Sequence, residues 1–115
     1  MEIDILPKTE RAQTHMVFIV VPRFNIMTLI TMIETLRIAN YLAPASIYSW
    51  EVASFDGSKI IASNGMTATI KTANDNLQSA EFVFILGSWG TEHYQNQKLT
   101  AWLRKRARAG ERICG

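Results

Sequence analysis

The stretch MVFIVVPRFN, Met16–Asn25, decides the fold class of this chain. It opens with a continuous apolar run rich in branched side chains, which is typical of a strand buried on both faces of a parallel sheet. Pro22 ends the run, and Asn25 is placed to cap a helix. Apolar residues then recur at helical spacing over Ile26–Asn40. The stretch therefore predicts a strand followed by a helix, the first half of a strand–helix–strand unit.

The rest of the chain continues this alternation. Three further strands and an amphipathic helix are predicted, in the order Ile47–Ser54, Glu81–Leu86, Gln97–Ala109 (the helix) and Glu111–Cys114. The dipeptide Asn64-Gly65, flanked by β-prone residues, predicts a hairpin. The series predicts an α/β protein with a mostly parallel sheet, strand order 2-1-3-4, helices on both faces and the hairpin on the rim.

Length and composition allow one small domain. The chain has 115 residues, 48% of them apolar, and a net charge of +2 that is too small to indicate nucleic-acid binding by itself. One cysteine excludes an internal disulfide and fits a reducing compartment. The longest strongly apolar stretch, Met16–Val21, is far shorter than the roughly 20 residues of a membrane helix. We expect a soluble, cytoplasmic protein with a polar leader over residues 1–15 and a domain over residues 16–115.

Four stretches, in this order and spacing, resemble one family. They are VFIVVPRFNIMTLITMIETLRIAN (Val17–Asn40), YSWEVASFDGSKIIASNGMTATI (Tyr48–Ile70), FVFILGSWG (Phe82–Gly90) and the helix end W-L-R-x-x-A-R-x-G (Trp102–Gly110). Together they resemble the ThiJ/PfpI-like, class I glutamine amidotransferase-like sensor domains of GlxA-type regulators in the AraC family. The helix motif E-x-L-R-x-A-N at Glu34–Asn40 carries much of the likeness. The resemblance implies a flavodoxin-like open sheet, here incomplete at the C-terminus.

The resemblance also implies a function. It is that of a ligand-sensing, non-catalytic domain for a small amine, an amino acid or a related metabolite, without a cofactor or metal. Family members carry a C-terminal helix-turn-helix domain that this sequence lacks, so we expect DNA contact only through a missing domain, a homodimer, and no membrane partner. A truncated sheet would leave the fourth strand as a bare edge, and we expect such a polypeptide alone to be molten, aggregating or dimerised.

Cys114 is the first candidate for chemistry. Enzymes of the superfamily place a nucleophilic cysteine on a strand-to-helix elbow, and the resemblance puts that elbow about six residues after Gly110, two positions beyond Cys114. We therefore expect Cys114 inside the strand. The acid of such enzymes falls near Thr28, so the resemblance implies no catalytic residue. The alternatives are a cysteine-dependent hydrolase or glyoxalase-type enzyme fragment, and a stand-alone α/β binding module.

A ligand site is predicted where two loops follow neighbouring strands. Ligands of open α/β sheets bind beyond the carboxyl ends of the strands where the strand order reverses, here between the first and third predicted strands. We predict that Phe24, Gly87, Trp89 and Glu92 line a small-molecule site there, with aromatic faces and an acid that suit a cation. The alternative is that Trp89 packs on the sheet rim and that Phe24 is the hydrophobic staple of the helix.

The remaining charged residues are assigned to structural roles. His15 falls in the leader and His93 on a solvated loop, and neither has partners at metal-ligand spacing. Glu34 is interpreted as a partner of Arg37 or as an interface residue. The run RKRAR, Arg104–Arg108, has the charge of a nucleic-acid patch, but its place at a helix C-terminus favours a solvated helix end.

Overall fold

In a computed structural model, which describes residues 13–43, 45–73 and 76–115, strands and helices alternate along the chain. The elements, in chain order, are β1 (Thr14–Val20), α1 (Ile26–Leu42), β2 (Tyr48–Ser54), β3 (Lys59–Ile61), β4 (Thr67–Thr69), β5 (Lys71–Thr72), β6 (Phe82–Leu86), a 3₁₀ turn (Thr91–His93), α2 (Gln97–Arg108) and β7 (Arg112–Cys114).

The main sheet has five strands in the order β5-β2-β1-β6-β7, and every neighbouring pair is parallel. Strand β1 lies at its centre, with Val17 between Glu51 of β2 and Val83 of β6. The order β2-β1-β6-β7 is the predicted 2-1-3-4, so the α/β fold class is confirmed. Strand β5 is an additional edge strand that the sequence did not indicate, because a pair such as Lys71-Thr72 is too short to show a period.

The central strand is buried on both faces, as its apolar run predicts. Val17 and Ile19 face one side of the sheet, in a cluster that includes Leu99 and Trp102 of α2. The alternate residues of β1 face the other side, where α1 packs. One helix on each face of the sheet completes the three layers.

Two local interactions fix the start of α1. The side-chain oxygen of Asn25 accepts a hydrogen bond from the Thr28 N–H at 3.2 Å, so Asn25 is the predicted N-cap. Phe24, just before the cap, and Leu29, in the first turns, are buried in the same cluster. This is the arrangement of a hydrophobic staple.

The hairpin β3–β4 forms a separate antiparallel pair with Ile61 beside Thr67. It is tied to the chain after β1, because the Arg23 N–H donates to the Ile61 carbonyl at 2.7 Å and the Ser63 N–H donates to the Phe24 carbonyl at 2.8 Å. Ile60 is 2% exposed and belongs to the α1-side core. The hairpin therefore contributes to the core and is more than a decoration of the rim.

The amino end of β1 differs from the sequence-based expectation. The strand begins at Thr14, so His15 lies in the sheet and is buried, where the expectation placed it in a polar leader. Residues 1–12 of that leader lie outside the described residues. Neither helix in the described ranges is long and apolar enough to cross a membrane.

Candidate functional site

Two loops meet at the carboxyl edge of the sheet. Residues 21–25 follow β1 and residues 87–94 follow β6. The Val21 N–H donates to the Leu86 carbonyl, and the Asn25 N–H donates to the Gly87 carbonyl, both at 3.1 Å. The two loops are therefore held side by side, at the point where the strand order reverses.

The loop after β1 contains a strained turn. Arg23 has a φ of +68°, a left-handed conformation that costs a residue with a Cβ roughly 1 kcal/mol or more. The Phe24 N–H closes the turn by donating to the Val21 carbonyl at 3.1 Å. The turn directs Phe24 into the core, where its side chain is fully buried. Its ring therefore offers no surface to a ligand in this structure, and its position is that of the staple alternative.

An open apolar notch lies between the start of α1 and the ends of β6 and β7. Its volume is about 390 Å³, and its lining is Thr28, Met32, Phe84, Ile85, Leu86, Gly87, Cys114 and Gly115. A second apolar hollow of about 290 Å³ runs along the sheet beneath α1 and shares Met32 and Phe84 with the notch. Gly87 is the one predicted site residue in the lining of the notch.

Position 87 needs a glycine because the loop leaves no room for a Cβ atom there. A Cβ at this position would lie 2.3 Å from Thr91 Oγ1. That hydroxyl donates to the Ser88 carbonyl at 2.6 Å and accepts from the Ser88 N–H at 2.8 Å. The loop is closed on itself so tightly that only glycine fits before it.

Trp89 and Glu92 lie on this same loop. Trp89 is 96% exposed, which differs from the alternative that it packs on the sheet rim. One carboxylate oxygen of Glu92 accepts from the Gly90 N–H at 3.1 Å, and the other lies 3.6 Å from His93 Nε2. Trp89 and Glu92 are therefore exposed on the loop that follows Gly87, and neither is in the lining of the notch.

Cys114 lies in β7 beside Phe84, half-buried, with a free thiol that lines the notch. The position inside the strand is the predicted one. Neither histidine is its partner, because the His15 ring contacts Ser49 and Glu51 and the His93 ring lies beside Glu92. Within the described ranges no group of metal-ligating side chains is present.

A buried polar cluster occupies the opposite, amino end of the sheet. His15 Nδ1 lies 2.8 Å from Ser49 Oγ, and His15 Nε2 lies 2.9 Å from Glu51 Oε1. Lys71 Nζ and the Gln78 N–H also donate to Glu51, at 2.8 and 2.9 Å. Burial alone would raise the pKa of Glu51, but the hydrogen bonds from Lys71, Gln78 and His15 outweigh it and lower the pKa to about 2. The parallel register of β1 and β2 puts His15 beside Ser49, a pairing that the sequence alone did not indicate.

A second buried charge lies under α2. Arg106 is 8% exposed, donates to the carbonyls of Leu77 and Gln78 and to the Glu111 carboxylate, and lies over the Trp102 ring at 4.5 Å. The expectation of a solvated helix end is therefore wrong for Arg106, whereas Arg104 and the other cations of the run are exposed.

Comparison with known proteins places the fold. The HTH-type transcriptional regulator CdhR of Pseudomonas aeruginosa is 33% identical over 98 residues, which are 85% of this chain and 29% of the regulator. The HTH-type regulator GbdR of the same species is 28% identical over 108 residues, 94% of this chain and again 29% of the regulator. The chain thus spans less than a third of the length of these curated relatives. No protein-family model matches the chain.

Solved structures agree with these relatives. An AraC family transcriptional regulator from Pseudomonas putida superposes with a TM-score of 0.78 at 19% identity, over 87% of this chain and 54% of that one. A DJ-1 superfamily protein from Agrobacterium tumefaciens superposes with a TM-score of 0.67 at 16% identity, over 88% and 52% of the two chains. The chain has the DJ-1-like α/β fold found in AraC family regulators. The resemblance drawn from the four sequence motifs is confirmed.

Proposed function

We propose that the chain is the ligand-sensing, non-catalytic domain of an HTH-type transcriptional regulator, and that the ligand binds at the notch. The observation that supports this most directly is the position of the notch at the carboxyl ends of β6 and β7, next to the switch point of the sheet, with Gly87, the first residue of the loop that carries Trp89, in its lining. The curated relatives are named transcriptional regulators.

The proposed ligand is a small amine, an amino acid or a related metabolite. Trp89 presents both faces of its ring to solvent, and Glu92 follows three residues later with an exposed carboxylate. An aromatic face and a carboxylate on one short loop suit a cationic head group, and an exposed cation–π contact contributes about 0.5–1 kcal/mol. The apolar wall of the notch would take the carbon skeleton. In this proposal Phe24 supports the loop from inside the core.

The alternative of a cysteine-dependent enzyme has one observation in its favour, since the Cys114 thiol lines the notch. A nucleophilic thiol also needs a base within hydrogen-bond reach. Both histidine rings have other partners at the distances given above, so a non-catalytic role is favoured. Under this proposal Cys114→Ser keeps ligand binding, whereas a Cys nucleophile would make the thiol essential.

The partners follow from the regulators that the chain resembles. We propose that the protein acts in the cytoplasm as a homodimer, and that DNA is contacted by a domain outside this chain. Ligand binding would stabilise one arrangement of the two subunits over another, and the DNA-binding domains would follow that shift. In this proposal the described fold is the sensing half of the regulator.

The test is a binding experiment with defined probes. Thermal unfolding and tryptophan emission are measured with tetramethylammonium chloride, with glycine, and with sodium chloride as the ionic-strength control. We expect one of the two probes to raise the melting temperature, since ligand at 100 times its Kd stabilises by about 2.7 kcal/mol. Trp89→Ala and Glu92→Gln should remove the effect, and Trp50→Phe, on β2, should keep it. If the probes raised the melting temperature of the Trp89→Ala variant as much as that of the parent chain, the assignment of Trp89 to the ligand site would be wrong.

A further inference from the structure

Charge is distributed unevenly along this chain. Residues 1–97 contain six Lys and Arg and nine acids, a net charge of −3, whereas residues 98–115 contain six Lys and Arg and one acid, a net charge of +5. That one acid, Glu111, is bonded to the buried Arg106. The other cations of α2 therefore have no acid left in their own stretch to pair with, and the net charge of +2 for the whole chain hides a strongly basic segment.

Four of these cations lie on one side of α2. Lys98, Lys105 and Arg108 follow one another at helical spacing, and Arg104 lies beside them. At 3.6 residues per turn the four fall within about 120° of arc, opposite the buried Leu99, and they extend for about 15 Å along the helix. We call these four residues the basic face of α2. All four are exposed, and none forms a side-chain hydrogen bond or ion pair with a residue that the structure describes.

The helix dipole explains only part of the basic face. Cations in the last turn of a helix interact favourably with the dipole, which accounts for Lys105 and Arg108. Lys98 lies in the first turn, where a cation is unfavourable and where α2 has no acid. Arg104 and Arg108 are four residues apart, a spacing that brings like charges together. These two features oppose the stability of the helix alone, and a bound polyanion would relieve both.

The side chains around the cations indicate which polyanion fits. The large apolar residues of α2 pack against the sheet, and the basic face has only Ala101 between its charges. A helix that binds an anionic membrane inserts apolar side chains into it, and a protein interface is anchored by aromatic and apolar side chains. A single strand of nucleic acid stacks its bases on aromatic rings. The backbone phosphates of a duplex need neither kind of anchor, because Lys and Arg bind them directly.

We propose that the basic face of α2 binds the backbone phosphates of duplex DNA without regard to sequence. One strand presents about four phosphates along about 15 Å of duplex axis, which is one for each cation of the face. Arg104 and Arg108 can each donate two parallel hydrogen bonds to one phosphate, whereas Lys98 and Lys105 act as point charges. The contact positions the chain on the duplex and reads no base.

This inference rests on the proposed function, because the separate DNA-binding domain of a regulator would bring this chain close to a duplex. It adds a second contact, made by the chain itself. The basic face lies on the α2 side of the sheet, whereas the notch lies against α1, and none of the four cations is in the lining of the notch. Phosphate binding and ligand binding can therefore be measured separately.

The first experiment measures the fluorescence anisotropy of a labelled DNA duplex of arbitrary sequence during titration with the full chain. The duplex has about 20 base pairs, and the titration is repeated in sodium chloride between about 10 and 100 mM. Four phosphate contacts predict a slope of about −3.6 for the logarithm of the binding constant against the logarithm of the salt concentration. A chain that does not bind at the lowest salt, or whose binding does not weaken with salt, overturns the proposal.

Charge removal locates the contact. The double variant Lys105→Gln/Arg108→Gln removes two of the four contacts, so its affinity at the lowest salt should fall by about tenfold or more and its slope should become shallower by about 1.8. The matched control is Arg37→Gln/Lys59→Gln, which removes the same net charge at exposed positions on α1 and on the hairpin. The control should bind like the parent. Equal losses in the two double variants would show that net charge alone drives binding and would overturn the assignment to α2.

Three other polyanions test the choice of partner. They are the single strand of the same sequence, phosphatidylglycerol vesicles and poly-L-glutamate, each at the same concentration of negative charge. We expect the duplex to bind most tightly, because it combines a high density of backbone charge with phosphates that Lys and Arg can reach without base stacking. Tighter binding of any of the other three would assign the face to a single strand, a membrane or an acidic protein and would overturn the proposal.

The outcomes also separate this proposal from that of ligand sensing. If the duplex binds through the basic face while tetramethylammonium and glycine leave the chain unchanged, the ligand proposal fails and the phosphate contact stands. If the probes bind and the duplex does not, the phosphate contact fails and the sensing proposal stands.

Discussion

The backbone N–H of Asn25 donates to the carbonyl of Gly87 at 3.1 Å. This single bond joins the cap of α1 to the first residue after β6, so the helix that borders the notch and the loop that carries Trp89 are positioned together. A change in one loop should therefore be felt in the other.

Gly87→Ala tests this coupling. The new Cβ would lie 2.3 Å from Thr91 Oγ1, and the loop must shift to relieve the overlap. We expect a loss of about 1–3 kcal/mol in the free energy of unfolding and a changed Trp89 emission. The control is Gly115→Ala in the same notch, where a Cβ meets no atom within 4 Å. Addition of Thr91→Ala to Gly87→Ala should recover part of the loss, and a fully additive double variant would refute the contact as its cause.

Phe24→Ala distinguishes the core role of this ring from a role in the binding site. Phe24 is fully buried, so its truncation should cost about 3–5 kcal/mol in urea unfolding. Trp89→Ala, at a 96% exposed position, should change stability by about 0.5 kcal/mol or less. If Phe24→Ala kept full stability and lost the probe response, the ring would instead be part of the site wall.

The sequence was most informative where local pattern and burial agree. The apolar run of β1, the Asn25 cap and the hairpin at Asn64-Gly65 were all predicted, and the motifs identified the family fold. The pocket residues were harder to predict, because Phe24 and Trp89 are both aromatic and both follow a strand. The strained Arg23 turn sends one into the core and the other loop leaves its tryptophan in solvent, a difference of backbone conformation that composition does not reveal.

Buried charges were also missed, for a related reason. His15 follows polar residues and Arg106 lies in a run of cations, so His15 was assigned to the polar leader and Arg106 to a solvated helix end. Their burial depends on partners that are distant in sequence. Strand pairing brings His15 to Glu51, and the packing of α2 brings Arg106 to the carbonyls of Leu77 and Gln78. Long-range pairing of this kind has no period that a single sequence displays.

The buried polar cluster around Glu51 and His15 should make the free energy of unfolding depend on pH in the acid range. The pKa of this carboxyl is about 2 in the folded chain, below its ordinary value of 4.5, so its stabilisation is complete above the ordinary value and is lost as the pH falls toward 2. The contribution is on the order of 3 kcal/mol. Unfolding free energies measured from neutral to acid pH should fall less steeply in Glu51→Gln than in the parent.

Glu92→Gln is the matched control for that pH series, because the Glu92 side chain is 68% exposed whereas that of Glu51 is 14% exposed. It should follow the parent curve. Identical acid dependence in the parent and in Glu51→Gln would show that the cluster contributes nothing to the pH response.

Arg106 should be the most sensitive cation of its run. Arg106→Ala leaves the Glu111 carboxylate, whose side chain is 9% exposed, and the Leu77 carbonyl without their donor, and removal of one partner from a buried pair costs about 3–5 kcal/mol. Differential scanning calorimetry should show a melting temperature lower by about 10 °C or more. Arg104→Ala, at an exposed position, should melt close to the parent. Equal melting temperatures for the two variants would contradict the buried-pair interpretation.

The most direct test of the sensing proposal is a ¹H–¹⁵N NMR titration of the chain with tetramethylammonium and with glycine. The expected result is saturable shifts concentrated at the amides of Thr28, Gly87 and Cys114 and at the Trp89 indole, with the His15–Glu51 cluster unchanged. Saturable shifts elsewhere, or spectra that neither probe perturbs at the notch, would contradict the assignment of the notch as the site for this class of ligand.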